Sequence, residues 1–207
     1  GMKIADISAL DRVLVVGSFL RKDHPLIAQR LRQSVKKGAQ VSVLHSANDE
    51  LLINLTARAI AAPSQLPALL AQVAKAVCVA KGAAVPTDIA SVAVTPDAQA
   101  IADSLVSGSN SAVLLGNFAQ QHPRAATLHA LGRLIATTLG GRQGFLGEAA
   151  NSVGAYAAKA VPGNGGLNAA AMLKDPRQAY VVVGAEPELD SADGAQALAA
   201  LAKAVVT

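Results

Sequence analysis

The sequence is poor in metal-binding and cross-linking residues. Its 207 residues include one cysteine, Cys78, and four histidines. An iron–sulfur cluster needs about four thiolates, a structural zinc needs several closely spaced Cys or His ligands, and a disulfide needs a second cysteine. Cys78 alone can supply none of these, and the lack of a cysteine framework favours a reducing, cytoplasmic compartment.

Aromatic and charged residues are also scarce. The chain has no Trp, three Phe and two Tyr, and 15% of its residues are charged against 52% hydrophobic. β-Sandwich cores rely on aromatic and β-branched pairs, so the alanine-rich composition excludes an all-β fold. The apolar content excludes disorder and suffices for one large or two small α/β domains.

No apolar run is long enough to span a membrane. A transmembrane helix needs about eighteen uninterrupted apolar residues. The best candidate, residues 66–80, is interrupted by Pro67, Gln72 and Lys75. The sequence therefore predicts no membrane insertion.

The excess of basic residues is local. The formal net charge is +4, and six of the basic residues cluster near the N-terminus, namely Arg21, Lys22, Arg30, Arg32, Lys36 and Lys37. A protein that reads nucleic acid adds stacking aromatic residues to such a patch. We interpret the cluster as the solvated face of a helix and predict no nucleic-acid partner.

Three short apolar runs each end in glycine: Val13 to Gly17, Ala112 to Gly116 and Tyr180 to Gly184. Runs that are continuous rather than alternating are typical of strands covered on both faces, as in a parallel sheet flanked by helices. Residues 40–44 are predicted as a further strand. The fold class predicted is α/β, with open, mostly parallel Rossmann-like sheets flanked by helices.

Apolar stripes and proline or glycine boundaries predict the helices. They are expected from Pro25 to Gly38, from Leu66 to Gly82, from Thr95-Pro96 to Gly108, and from Pro123 to Gly140. Residues 140–166 are rich in glycine and small residues, which predicts long connections around one short helix.

A change of composition between residues 83 and 96 predicts a boundary between two lobes. The first α/β lobe is expected at residues 10–90 and the second at 94–207. A weak repeat supports two similar units, because residues 13–25 and 113–123 both run through a strand, a glycine, a small polar residue, Phe and then His-Pro.

Gly17 and Gly116 each follow a strand and precede a helix, where a phosphate can approach free backbone amides. Neither glycine belongs to a complete G-x-G-x-x-G motif, and no P-loop motif occurs. A tight strand-to-helix turn is therefore the favoured interpretation of both.

The remaining polar residues form no evident catalytic set, and no catalytic or metal-binding residue is predicted. His24 and His122 precede prolines at helix starts and are interpreted as capping residues. The other polar candidates are His45 at a strand end, His129 on a helix, the lone Glu148, and Glu186, Glu188 and Asp190 after the third strand. For the last group, capping of the next helix by Asp190 or Ser191 is favoured over ligand binding.

The segment from Gly17 to Pro25, with its following helix, Gly-Ala and second strand, resembles the molybdopterin oxidoreductase superfamily. More narrowly, the chain resembles the large peripheral-arm subunits of bacterial NADH-quinone oxidoreductases, the enzymes known as respiratory complex I. Residues 146–155 are similar to the E-x-x-N-S-x-G-A stretch of those subunits, and residues 166–190 to their N-A-x-x-M-L, P-R-x-A-Y and E-P-E-x-D stretches. The resemblance spans most of residues 10–190.

This resemblance implies a C-terminal, molybdopterin-oxidoreductase-like region without a cofactor of its own. The implied iron–sulfur clusters lie in an N-terminal part of a longer subunit, which agrees with interpreting Gly1-Met2 as the remnant of a removed tag. The implied partners are other peripheral-arm subunits of a complex that transfers electrons from NADH towards quinone. The implied location is cytoplasmic, held at the inner membrane through the complex.

One departure from the superfamily concerns the cofactor. Where active relatives place Asn-Pro after Gly-Ser, this chain has Phe19-Leu20. An alternative remains, in which the chain is a pterin-guanine-dinucleotide-binding domain of an active oxidoreductase and Gly17, Ser18, Gly116 and Asn117 line a degenerate cleft. A generic anion-binding α/β module is a third reading, supported by fold analogy alone.

Overall fold

Five short strands form a single parallel sheet in the computed structural model, which describes residues 2–149 and 151–206. The strands are β1 (Arg12–Val16), β2 (Gln40–His45), β3 (Ala57–Ile60), β4 (Ser111–Leu115) and β5 (Arg142–Phe145). Their spatial order is β3-β2-β1-β4-β5. The open α/β fold class predicted from the sequence is confirmed.

Helices connect the strands and cover both faces of the sheet. In chain order they are α1 (Leu20–Asp23), α2 (Pro25–Val35), α3 (Leu66–Ala80), α4 (Thr87–Ala90), α5 (Pro96–Val106), α6 (Asn117–Gln120) and α7 (Ala125–Thr138). Short 3₁₀ helices occupy Ile4–Ala9 and Pro63–Gln65. Helix α5 begins as predicted, because the hydroxyl of Thr95 accepts a hydrogen bond from the amide of Ala98.

The continuous apolar runs are explained by burial on both sides. Successive side chains of a strand point to opposite faces. Leu14 and Val16 of β1 pack with α3, α5 and α7, whereas Val13 and Val15 pack with α2 and the 3₁₀ helix Ile4–Ala9. Every position of β1 after Arg12 therefore has to be apolar.

The chain divides into two compact units, residues 1–150 and 151–207. This division differs from the predicted lobes at 10–90 and 94–207. The central ladder pairs β1 with β4, from Arg12↔Ser111 to Val16↔Leu115, so the two predicted lobes contribute strands to one sheet. The proline-rich stretch at residues 83–96 is a connection within the first unit.

The second unit is helical. Its helices are α8 (Ser152–Ala157), α9 (Ala169–Lys174), α10 (Pro187–Asp190) and α11 (Gly194–Leu201). The strand predicted at Tyr180 to Gly184 is wrong: within residues 151–206, the only strand-like pairing is an isolated bridge between Ala179 and Val206. Val181 and Val183 are 90% and 85% exposed, so this apolar run is not covered on both faces as the prediction required.

Two strands were not predicted. β3 contains Arg58, and β5 contains Arg142 and Gln143 and lies in the glycine-rich stretch expected to be loop. Both are edge strands with a single neighbour. No helix within residues 2–149 or 151–206 is long and apolar enough to cross a lipid bilayer.

Candidate functional site

The candidate site lies where the strand order reverses. From β1 the chain proceeds outward to β2 and β3, then returns to place β4 on the other side of β1. Loops leaving β1 and β4 therefore lie side by side at the carboxyl edge of the sheet, before their connections continue to opposite sides of it. Open α/β sheets bind ligands in the crevice at such a switch point.

The sequence repeat supplies both sides of this crevice. Gly17-Ser18-Phe19 follows β1, and Gly116-Asn117-Phe118 follows β4. The four candidate cleft residues, Gly17, Ser18, Gly116 and Asn117, are thus brought to one edge of the sheet. The repeat corresponds to two neighbouring strands of one sheet rather than to two separate units.

The two glycine turns pack so closely against each other that neither glycine has room for a Cβ. Gly17 has a φ of +59°, and a Cβ there would lie 2.7 Å from the backbone nitrogen of Ala119. A Cβ at Gly116 would overlap the Cβ of Ser18. The chain therefore needs glycine at both positions so that the turns can pass each other, which agrees with the tight-turn interpretation.

Three backbone amides at this edge bond within the protein. The amide of Gly17 donates to the carbonyl of Leu44 at 2.8 Å, and that of Gly116 donates to the carbonyl of Val16 at 2.8 Å. The amide of Ala119 donates to the Gly17 carbonyl at 3.3 Å. A phosphate-binding turn instead points free amides at its ligand.

Two aromatic rings close the crevice over a histidine. His45, the last residue of β2, is 2% exposed. The ring of Phe19 meets it edge-on with centroids 4.6 Å apart, and that of Phe118 does so at 5.6 Å. We call Phe19, His45 and Phe118 the aromatic plug. The sequence placed His45 at a strand end, but its contact with both Phe rings depends on the order of the strands.

His45 is buried in its neutral form. Burial lowers the pKa of its imidazole, against the opposing charges of Asp49 and Asp23. Neither ring nitrogen has a hydrogen-bond partner among the described residues. The plug is therefore held by edge-to-face ring contacts, which favour offset or T-shaped geometry.

Several polar atoms beside the plug are also buried without a partner in the described chain. They are the hydroxyls of Ser18 and Ser46, the side-chain oxygen of Asn117 and Nδ1 of His24. Buried polar atoms ordinarily find a hydrogen bond. This edge of the sheet is consequently where unpaired polar atoms of the first unit concentrate.

The other histidines have structural roles. Nδ1 of His122 accepts from the amide of Arg124 at 2.9 Å, and its Nε2 donates to the carbonyl of Pro63 at 3.0 Å, so His122 caps the turn before α7. His24 precedes α2, but its side chain does not cap that helix; Nε2 bonds to the Gly147 carbonyl at 2.9 Å. The ring of His129 packs on Phe145.

Several of the acidic candidate residues likewise accept hydrogen bonds from the chain itself. Asp190 accepts from the amide of Glu186 at 2.7 Å. Helix α11 is capped by Asp193, whose carboxylate accepts from Gln196 at 2.9 Å, so capping by Asp190 or Ser191 is wrong. Glu188 lies within α10, Glu148 bonds to the side chain of Gln121, and Cys78 is buried. In the part of the chain that the structure describes, no cluster of three or more His, Cys, Asp or Glu could hold a metal ion.

A surface groove of about 590 Å³ lies on the outer side of Phe118. His122 and Arg124 also line it. Ser18 and His45 do not, so the groove reaches the plug from outside without entering the crevice.

The crevice as folded does not fit a guanine dinucleotide. The amides of Gly17 and Gly116 continue the sheet ladders by bonding to neighbouring strands, and the rings of Phe19 and Phe118 pack on His45 at the switch point where a nucleotide would lie.

Comparison with known families gives one result for the whole chain. The family model of molybdopterin oxidoreductases matches residues 1–207. No curated protein matches the sequence. The family match thus extends over both compact units, the sheet-containing one and the helical one.

Proposed function

We propose, from the premise that the chain belongs to the molybdopterin oxidoreductase family, that it is a cofactor-less structural and interaction region. Its parent would be the large peripheral-arm subunit of an NADH-quinone oxidoreductase, respiratory complex I. The parent would pass electrons from NADH towards quinone through iron–sulfur clusters held outside this chain. The chain itself would catalyse no step.

The observation that carries the proposal is the aromatic plug. In a dinucleotide-binding family, the switch-point crevice needs free amides and open space. Here the turn amides of Gly17 and Gly116 bond to the protein, and two phenylalanine rings lie over His45. The plug supplies apolar contacts where a ligand would otherwise be needed, so the unit is stable without one.

The narrower assignment to complex I is supported by the sequence stretches at residues 146–155 and 166–190. Their order along the chain matches that of the large peripheral-arm subunits. The absence of Asn-Pro after Ser18, where Phe19-Leu20 stand instead, supports a region that has lost its nucleotide.

Calorimetric titration of the full chain with a guanine dinucleotide tests the loss of cofactor binding. We expect no heat of binding at millimolar ligand. The double variant Phe19→Ala/Phe118→Ala removes both rings, and weak binding gained by it would identify the plug as the barrier. Phe145→Ala is the matched control, since this Phe packs on His129 outside the plug. Micromolar binding by the unaltered chain, or molybdenum or pterin in the purified protein, would contradict the proposal.

The assignment to complex I is tested separately by the coding sequence upstream of Met2. We expect cysteine-rich cluster motifs there. An upstream sequence without them, or a gene that starts at Met2, would contradict the complex I role while leaving the cofactor-less fold untouched.

A second candidate is a dinucleotide-binding domain of an active oxidoreductase. It is favoured by one observation, the buried and unpartnered oxygens of Ser18 and Asn117 beside the crevice. The same titration separates the two candidates. In this case ligand binding by the unaltered chain should be lost in Ser18→Ala, because its hydroxyl would contact the ligand.

A further inference from the structure

The positive charge of the chain is confined to one short segment. Residues 21–37 contain six of the 18 basic residues and one acidic residue, Asp23. The other residues of the chain comprise 12 basic and 13 acidic ones and are close to neutral. We call the six basic residues of this segment the basic face; they are Arg21, Lys22, Arg30, Arg32, Lys36 and Lys37.

The structure fixes this segment firmly to the first unit. Helix α2 buries Ala28, Leu31 and Ser34 against the sheet. Residues on its opposite side are thereby held towards solvent, and Lys36 and Lys37 continue them past the end of the helix. Arg30 and Arg32 of the basic face are therefore presented on a helix that is packed against the first unit.

No ion pair among residues 2–149 and 151–206 neutralises the charges of the basic face. Among the described residues, the only ion pair joins Arg177 to Asp175, in the second unit. Arg30 reaches only the hydroxyl of Ser8, at 3.5 Å. Lys22 lies 5.8 Å from the centroid of the Phe19 ring, a contact that leaves its charge uncompensated.

An exposed leucine stands among these charges. Leu26, in the first turn of α2, is 77% exposed. Arg30 follows it by four residues on the same helix, so helical spacing puts this cation beside Leu26. An apolar centre with a charged rim is the usual organisation of a protein–protein interface.

We propose that the basic face and Leu26 dock an acidic surface of a partner protein. This proposal rests on the proposed function as an interaction region, and it names the chemistry of one partner. Charge complementarity would speed association with the partner. Leu26 would enter an apolar pocket at the centre of the partner's acidic surface.

Nucleic acid and membranes fit this face less well. A protein surface that binds single-stranded nucleic acid offers aromatic side chains on which bases stack. Phe19 lies next to the basic face in the sequence, but its ring contacts His45 edge-on. A membrane-binding helix buries a wide apolar side in lipid, whereas the apolar side of α2 is already buried against the sheet and leaves Leu26 alone outside.

The test measures binding of the full chain to a labelled Glu-rich peptide with leucine at every fourth position, by fluorescence anisotropy at physiological salt. Phosphatidylglycerol vesicles and duplex DNA are the competing probes. The charge-reversal variant is Lys36→Glu/Lys37→Glu. The matched control is Lys81→Glu/Arg133→Glu, which makes the same change in net charge at two exposed positions elsewhere in the first unit.

We expect Lys36→Glu/Lys37→Glu to weaken peptide binding about tenfold and the control by about twofold or less, because the contact is local. Leu26→Ser should weaken it severalfold at unchanged charge. Equal weakening by the two charge reversals, or tighter binding of vesicles or DNA than of the peptide, would overturn the proposal. The guanine dinucleotide titration decides the cofactor-less role independently, since it involves none of these residues.

Discussion

The two units contain nearly the same short apolar sequence, which ends a buried strand in the first unit and lies outside any strand in the second. Val15-Val16-Gly17 ends β1 in the first unit, and Val182-Val183-Gly184 lies in the second. Val16 is fully buried between two neighbouring strands, whereas Val183 is 85% exposed. An apolar run therefore becomes a buried strand only where other elements pair with it and cover it.

The units also differ in what stabilises them. Both faces of the sheet in the first unit carry extensive apolar cores. In residues 151–206, by contrast, the only buried hydrophobic residues described are Ala197 and Ala200. The second unit consequently depends more on local hydrogen bonds, such as that from the Tyr180 hydroxyl to the carbonyl of Met172 at 2.8 Å.

The largest difference in the free energy of unfolding is expected between alanine substitutions at two glycines with the same backbone conformation. Gly17 and Gly184 have φ of +59° and +62°, but only Gly17 would bring a Cβ against Ala119. Gly184→Ala should cost about 1 kcal/mol from the left-handed backbone alone. Gly17→Ala should cost about 3 kcal/mol, since steric overlap adds to that strain. Urea unfolding measures both; equal costs would mean that the turn at Ala119 moves aside.

Truncating one valine in each unit should give the next largest difference in the free energy of unfolding. Val16→Ala should lower the free energy of unfolding by about 2 kcal/mol, because buried methyl groups are lost. Val183→Ala should change it by less than about 0.5 kcal/mol, as at other exposed positions. Urea unfolding followed by far-UV circular dichroism detects the first change. A comparable loss from Val183→Ala would show that this valine is covered in solution.

Removing one helix cap from each unit tests whether the two units unfold independently. Thr95→Ala and Asp193→Ala each remove a side-chain oxygen that accepts a bond from a helix amide, so each should cost about 1 kcal/mol. Both tyrosines, Tyr156 and Tyr180, lie in the second unit. Asp193→Ala should therefore shift unfolding monitored by tyrosine fluorescence, and Thr95→Ala should leave it in place. A shift of that signal by Thr95→Ala would show that the units unfold together.

The smallest effect is the pH dependence conferred by His45. Its pKa is lowered in the folded chain from an ordinary value of 6.5, so the unfolded chain binds more protons. The stability from neutral His45 is complete above pH 6.5 and is lost as pH falls through the lowered pKa. Denaturant unfolding between pH 7 and pH 5 should show this loss in the first unit.

His45→Leu should flatten that pH dependence, whereas the matched variant His129→Leu should retain it. The carboxyl of Asp11 contributes in a separate window. Burial raises its pKa, but hydrogen bonds from Ser109 and Asn110 outweigh this and leave it below 3.8. Its stabilisation is thus lost only at more acid pH. A slope between pH 7 and pH 5 that persists in His45→Leu would contradict the role given to the histidine.

Sequence patterns predicted the centre of the sheet better than its edges. Strands β1, β2 and β4 have neighbours on both sides, and nearly every position of β1 and β4 is apolar, so these runs are visible. The main helices α2, α3, α5 and α7 carry clear apolar stripes. Edge strands β3 and β5 were missed because each pairs on one side only and tolerates residues such as Arg58 and Gln143.

The site was predicted in its parts but not in its assembly. The repeat identified Gly17, Ser18, Gly116 and Asn117, and the structure brings them to one edge. Contacts of His45 with Phe19 and Phe118 depend on which strands are neighbours, which no local pattern specifies. The steric need for glycine at residue 17 likewise arises from Ala119, about one hundred residues further along the chain.

The pairing of β1 with β4 has a consequence for the order of folding. Arg12 lies opposite Ser111, so the central ladder closes a loop of about one hundred residues. During synthesis, β1 can pair with β2 early, but one of its edges stays open until β4 has left the ribosome. Such long-range parallel pairing slows folding. The nascent chain thus keeps a strongly apolar strand half-paired until β4 is made, and during this time chaperones would have most reason to bind it.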